Sequence, residues 1–258
     1  MNKQLNIGVL ISGGGSNLQA IIDACRKKEI NGKLCFVGSD NPDAKGLQRA
    51  EKHGIPTFVV DYKAILKDKI KSLPPDFNLK NILKKQRILS SQISRDKINR
   101  FFETRAVAES LLVKKMMPYP FDILVLAGFM RVLTPYFIDR VNIDPGKPRI
   151  MNIHPALLPS FPGVDGYGDT YRYGCKVGGC TVHFVDYGED TGAIIGQKAF
   201  EIFPQDSLED VCEKGLALEW QLYPQCINLF AENRIEIIKN TYKTKNGEQK
   251  TRNVVNIL

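Results

Sequence analysis

The stretch that most narrows the fold lies near the start of the chain. Leu5-Asn6-Ile7-Gly8-Val9-Leu10-Ile11 is a largely apolar run of strand length. Ser12-Gly13-Gly14-Gly15-Ser16-Asn17 follows, and then Leu18, Ala20, Ile21, Ile22 and Cys25 recur at helical spacing. A strand that feeds a helix through glycines presents backbone N–H groups at a helix N-terminus, the geometry that cradles a phosphate. The dinucleotide pattern G-x-G-x-x-G needs glycine where Leu18 stands, and the nucleotide P-loop needs a Gly-Lys-Ser/Thr that is missing. A phosphate monoester fits the loop better than a dinucleotide. The alternative is a plain turn with Ser16 as helix cap.

The same alternation runs on. Residues 34–38 read as a second strand, 44–53 as a helix and 57–60 as a third short strand. Phe121-Asp122-Ile123-Leu124-Val125-Leu126-Ala127-Gly128-Phe129-Met130-Arg131 is a buried strand running into a loop. Helices alternating with apolar strands predict an α/β fold, an open, mostly parallel, Rossmann-like twisted sheet with helices on both faces. Ligands in such sheets bind beyond the carboxyl ends of the strands, so the ends at Gly13, Met130 and His154 are expected to line one crevice.

At the last of these ends stands Asn152-Ile153-His154-Pro155-Ala156-Leu157-Leu158-Pro159. Residues i and i+2 of a strand share a face, so the Asn152 amide and the His154 ring point at one reacting atom. A carbonyl that becomes an oxyanion needs donors placed in advance, and this pair supplies two. Pro155 and Pro159 stop a helix from following. Read alone, Asn-X-His is equally a strand end with a capping amide and a satisfied core histidine.

Farther on, residues 160–179 hold six glycines and three tyrosines and read as a long irregular loop, a candidate lid or binding loop. Residues 180–186 alternate like a half-buried strand, with His183 read as a packed or hydrogen-bonded strand residue. Gly188-Glu189-Asp190-Thr191-Gly192 is a loop before another strand at 193–199. Residues 207–230 form a long helix that Ser207 and Asp210 can cap, with Pro224 a possible kink. The main unit is expected to end at about residue 238, and residues 239–258 read as a surface-lying or frayed polar tail with a late anchor at 254–258.

Charge is concentrated in one place. Residues 62–100 hold eleven Lys/Arg and three Asp/Glu, which equals the net +8 of the whole chain. Acidic and basic side chains balance elsewhere. The segment has apolar residues spaced for two short amphipathic helices around Pro74-Pro75; a solvated face is the default, a docking patch for an anionic partner the alternative. The six cysteines form no C-x-x-C pair and read as reduced thiols of a cytoplasmic protein. With 43% hydrophobic residues the chain can bury a core, yet no apolar run approaches the ~20 residues of a membrane helix. Met1-Asn2-Lys3-Gln4 gives no sign of a signal peptide.

Four separated pieces together resemble one family: Ile11 through Ile21 around the glycines, Val125-Leu126-Ala127-Gly128-Phe129-Met130-Arg131, Asn152 through Pro159, and Gly188 through Gly192. The sequence is similar to the phosphoribosylglycinamide formyltransferases, folate-dependent enzymes of purine synthesis, from about Leu5 to Phe230, with 62–100 as an insertion. The resemblance implies Asn152, His154 and Asp190 as catalytic residues, and Gly15, Ser16 and Asn17 as the phosphate cradle. It places Glu219 at the glycinamide ribotide. It places Arg105, Met130, Arg131, Val132 and Leu133, with Asn152, at the folate. The implied co-substrate is 10-formyltetrahydrofolate; no metal is implied, and the partners are small molecules, with the chain a monomer or homodimer and nucleic acid not expected. Asp190 beside His154 favours an imidazolium and can order a proton-carrying water. The family commonly has histidines and a basic residue after Leu-Leu-Pro, where this chain reads Ser160-Phe161-Pro162-Gly163-Val164-Asp165-Gly166-Tyr167-Gly168-Asp169-Thr170-Tyr171-Arg172-Tyr173.

Sibling activities use similar residues. Methionyl-tRNA formyltransferase adds a C-terminal nucleic-acid-binding domain, for which the stretch after Phe230 is too short. Formyltetrahydrofolate deformylase usually has an extra N-terminal domain. A basic RNA- or protein-binding module that keeps the fold without turnover is the alternative from another class.

Overall fold

The first strand and its glycine turn set the centre of the molecule. The computed structural model describes residues 3–67, 72–144 and 146–258. β1 (Leu5–Ile11) buries six of its seven residues, and the turn delivers the chain into α1 (Ser16–Arg26). Gly15, the residue before α1, has φ +73°, and a Cβ there would lie 2.8 Å from the Cα of Gly46, so both conformation and space require glycine.

β1 pairs in parallel with β2 (Gly32–Ser39) and β4 (Ile123–Leu126). β3 (Thr57–Val59) adds outside β2, after α2 (Lys45–Lys52), and β5 (Ile150–His154) pairs in parallel with β4. β6 (Val177–Phe184) and β7 (Ile194–Glu201) then pair antiparallel. The order β3-β2-β1-β4-β5-β6-β7 is the open, mostly parallel sheet that the alternation predicts.

Strand alternation sends side chains to two cores. Val9, Ile11, Val125 and Met151 meet α1, α2 and the long α8 (Leu208–Ala231) on one face. Leu10, Leu124, Leu126 and Ile150 meet α5 (Arg95–Met116) and α6 (Pro135–Val141) on the other. Tyr223 of α8 reaches under the sheet, its hydroxyl 2.9 Å from the carbonyls of both Leu126 and Met151. α8 begins with the capping box expected of Ser207 and Asp210, and it carries Pro224 inside.

The basic segment supplies α3 (Tyr62–Lys67) and α4 (Leu79–Lys85), with the two prolines between them; residues 68–71 of this reading lie outside the described residues. Its last residues are the first turns of α5, so the helical pattern expected from Phe101 starts at Arg95. Ile82 packs with Phe102, Ala106 and Tyr136 in a small third core, and this apolar face is what holds α4 down.

Two readings change. The 160–179 stretch is not irregular throughout, because α7 (Gly166–Arg172) lies inside it. A Cβ on Gly166 would come 2.5 Å from the Pro155 carbonyl oxygen, so that glycine serves close packing rather than flexibility. The polar tail is not frayed but a hairpin, β8 (Ile235–Lys243) against β9 (Gln249–Ile257), and a boundary after residue 238 falls within β8. Asn246-Gly247, with Gly247 at φ +81°, is the turn signal that marks it. Val255 packs on the main core beside Ile235 and Ile237, which anchors the end of the chain. No helix among the described residues is long and apolar enough to cross a membrane.

Candidate active site

A cavity of about 450 Å³ opens at the carboxyl ends of β1, β4 and β5, where an open sheet of this type receives ligands. Its walls come from the glycine loop, the loop after β4, the end of β5, the loop after β6 and one face of α8.

At one end lie Gly13, Gly14, Gly15, Ser16 and Asn17. Gly15 occupies the cap position of α1 and no side chain caps the helix, so the first-turn N–H groups are free for an anion. Ser16 is therefore the first helical residue rather than the cap. Arg49 of α2 holds the loop from behind, its Nε donating to the Gly14 carbonyl at 2.8 Å. The buried Asn17 donates Nδ2–H to Glu219 Oε2 at 2.6 Å, and the Tyr167 hydroxyl donates to Glu219 Oε1 at 2.7 Å. Burial raises the Glu219 carboxyl above its ordinary range, against the opposing effect of those two hydrogen bonds and of His154.

At the other end the Asn152 and His154 side chains leave the same face of β5. His154 is 2% exposed, with Nε2 2.7 Å from the Phe161 carbonyl and Nδ1 3.3 Å from Asp190 Oδ2. Both ring nitrogens thus face acceptors, an arrangement that an imidazolium satisfies in full. The Gly163 N–H donates to Asp190 Oδ2 at 2.9 Å. Burial works against ionisation of Asp190, but the neighbouring His183 ring, the charge of His154 and the Gly163 N–H outweigh it and hold the carboxyl below its ordinary range. Asp190 has φ +52°, a conformation that costs a non-glycine residue about 1 kcal/mol or more and persists only when the surroundings enforce it.

His183 belongs to this group, which its place in a strand pattern did not reveal. It stands opposite Asn152 in the β5–β6 pair. Its Nδ1 donates to the Phe184 carbonyl at 2.9 Å, which leaves Nε2 to accept from Asn152 Nδ2 at 3.3 Å, and Asp190 Oδ1 lies 3.6 Å away. The Asn152 amide is oriented by that bond and keeps its second N–H. Only strand register brings the two together, and register is invisible in residue types. Tyr167 was also missed; it lies inside the stretch that read as loop.

Met130, Arg131, Val132 and Leu133 line the cavity beyond β4. Their loop is pinned to the sheet: Met130 N–H donates to Ser12 Oγ at 2.8 Å, Ser12 donates to Asp40 at 2.5 Å, and Arg131 Nε pairs with buried Asp40 at 2.5 Å. Arg131 also lies over the Tyr62 ring, 5.6 Å from its centre. Arg105 does not join the cavity wall. Its guanidinium sits 5.7 Å from the centre of the Tyr62 ring and 5.3 Å from that of Phe101, because α5 directs it against the aromatic side chains beside the inserted segment.

The chain is similar to known proteins over most of its length. The family described as formyl transferase matches residues 5–227. The phosphoribosylglycinamide formyltransferase of Escherichia coli is 34% identical over 236 residues, 92% of each chain, and that of Haemophilus influenzae 37% over 234 residues, 91% of each. Among solved structures, glycinamide ribonucleotide transformylase 1 from Symbiobacterium toebii superposes with a TM-score of 0.72 at 35% identity, covering 99% of this chain and 94% of its own. The chain belongs to the formyl transferase family, among the phosphoribosylglycinamide formyltransferases.

Proposed function

We propose that this chain transfers the formyl group of 10-formyltetrahydrofolate to the amine of 5'-phosphoribosylglycinamide, giving N-formylglycinamide ribonucleotide and tetrahydrofolate. The observation that carries the assignment is one cavity with an uncapped helix N-terminus at one end and the Asn152–His154–Asp190 group at the other. The Gly15-Ser16-Asn17 backbone holds the ribotide phosphate, and Glu219 with Asn17 holds the glycinamide portion. The folate lies along Met130, Arg131, Val132 and Leu133 and reaches Asn152. Arg131 is occupied by Asp40, so this loop acts through its backbone and apolar side chains, while Arg105 packs against Tyr62 and Phe101.

The amine attacks the formyl carbon, and negative charge grows on the formyl oxygen. Asn152 donates its free N–H to that oxygen, and protonated His154 donates Nε2–H after exchanging the Phe161 carbonyl for it. Asp190 keeps the imidazolium in place through Nδ1 and orders a water that carries the amine proton to the departing folate nitrogen. The proton relay alone accounts for roughly 10²- to 10⁴-fold of the rate.

The six cysteines are free thiols, which suits work in the cytoplasm. A monomer or homodimer acting on small molecules is sufficient, and no nucleic-acid partner is invoked. The phosphate assignment is tested with glycinamide ribotide and its dephosphorylated riboside as acceptors. Loss of two or more hydrogen bonds to a charged group lowers kcat/KM by about 10²-fold or more for the riboside. Equal use of both would remove the phosphate from the glycine loop.

A further inference from the structure

The basic segment, which the reaction does not use, is joined to the site through its backbone. Asn78 caps α4 by accepting the Asn81 N–H at 3.0 Å. At the other end Gln86 Oε1 accepts the N–H groups of Ile88 and Leu89, both at 2.9 Å, which fixes the direction in which the chain leaves the helix. Arg87, between them, donates its backbone N–H to the Tyr187 carbonyl at 2.8 Å and forms a parallel bridge with Gly188. Gly188 and Glu189 are cavity wall, and Asp190 follows.

Side chains close the same joint. Lys85 Nζ lies 2.6 Å from Asp139 Oδ2, and the Tyr187 hydroxyl donates to Asp139 Oδ1 at 2.6 Å. Lys85 also sits over the Tyr187 ring, 5.5 Å from its centre. Asp139 belongs to α6, the helix that follows the Met130–Leu133 part of the wall. The same helix is tied to the inserted segment a second time, through Arg140 with Asp76 and the Tyr136 hydroxyl donating to Asp76 at 3.1 Å. Tyr187, Lys85 and Asp139 do not line the cavity. Tyr187 stands three residues before Asp190, whose φ is +52°, so the joint fixes the approach to a residue with a left-handed backbone.

We propose that residues 76–89 are a brace for the 186–190 loop, with Asp139 as the joint between Lys85 and Tyr187, so that the insertion positions Asp190 for proton transfer. The proposal rests on the role assigned to Asp190 above. Lys85, Asp139 and Tyr187 are positioning residues, acting through Asp190 without touching substrate.

The test uses Asp139→Asn and Tyr187→Phe in the whole chain, with hydrogen exchange followed by mass spectrometry and with steady-state kinetics. Exchange over residues 185–192 is expected to accelerate while that of the central strands stays as in the parent. Misplacement of about 1 Å lowers kcat by about tenfold or more, with the ribotide KM within about twofold. Placed in an Asp190→Asn background, either substitution then adds less than about twofold, since the pair acts as a unit. Unchanged exchange over 185–192 with unchanged kcat would overturn the brace, as would faster exchange across the whole sheet or equal losses in both backgrounds, which mark general destabilisation. Full turnover by Asp190→Asn alone would instead overturn the role of Asp190, and the exchange result would still decide whether the brace exists.

Discussion

Asp190→Asn changes one atom's identity and one charge, and the geometry says what that removes. The carboxylate accepts from Gly163 N–H at 2.9 Å and faces His154 Nδ1 at 3.3 Å, with His183 Nε2 at 3.6 Å on its other oxygen. At 3.3 Å and an effective dielectric of about 20, a carboxylate stabilises an imidazolium by roughly 5 kcal/mol before desolvation is subtracted. Positioned acid–base groups contribute about 10²- to 10⁴-fold, or roughly 3–5 kcal/mol at 1.36 kcal/mol per tenfold, so the two figures are of one size. Asparagine can keep its one carbonyl oxygen toward both Gly163 and His154, which share Oδ2, and turn its amide toward His183, but it carries no charge to hold the imidazolium. We expect kcat to fall by about 10³-fold, with the ribotide KM within about threefold because the glycine loop is untouched. Steady-state formation of tetrahydrofolate at saturating substrates measures this directly. A loss under about tenfold, or a loss confined to KM, would refute the assignment of proton transfer to this carboxylate.

Other perturbations probe the rest of the site and its frame. Glu219→Gln removes the charge that Asn17 and Tyr167 hold, and should raise the ribotide KM about 10- to 100-fold with kcat little changed, by steady-state kinetics; an unaltered KM would free Glu219 from substrate binding. Burial lifts the Glu109 carboxyl from 4.5 to about 7 despite hydrogen bonds from the Thr134 N–H and hydroxyl. Its folded-state value is the higher one, so its contribution to stability is complete below about 4.5 and is lost, roughly 3 kcal/mol in all, as pH rises through about 7. Glu109→Gln should therefore bring the urea midpoints at pH 5 and pH 8 closer together, and an unchanged gap would contradict the burial argument. Tyr223→Phe leaves the buried carbonyls of Leu126 and Met151 without their shared donor and should cost about 1–3 kcal/mol in urea unfolding, whereas a cost under about 0.5 kcal/mol would show that another group replaces the hydroxyl.

What could be read from residues alone follows from the range of each interaction. β1, the glycine turn and α1 are local: the strand pattern, the need for glycine and the helical period lie within some twenty residues of one another. The Asn152–His154 pair is local too, since the two-residue period of a strand decides that both leave one face. Asp190, by contrast, reaches His154 only through the fold, at 3.3 Å, and from the sequence only the family resemblance points to it. His183 joins the site through antiparallel register with Asn152, which no residue type specifies. Arg105, which the resemblance places at the folate, stands on α5 against the rings of Tyr62 and Phe101, a setting that its spacing in the sequence does not reveal. α7 was hidden by Gly166 and Gly168, weak helix formers whose small size serves contact with Pro155 and room for Asp165. The hairpin at the end of the chain was hidden by its exposed, polar alternation, although Asn246-Gly247 marks its turn.

The segment 62–100 carries a net charge equal to that of the whole chain. Part of its basic character is used internally, in the Lys85–Asp139 pair, and its backbone meets the loop that carries Asp190.

The most direct test of the central assignment is formyl transfer by the purified chain from 10-formyltetrahydrofolate to three acceptors offered separately: glycinamide ribotide, methionyl-tRNA and water, with His154→Ala alongside. Formylation of the ribotide alone, reduced by at least about 10²-fold in His154→Ala, is the predicted result. Transfer to methionyl-tRNA or to water in preference to the ribotide, or ribotide transfer that survives His154→Ala, would contradict it.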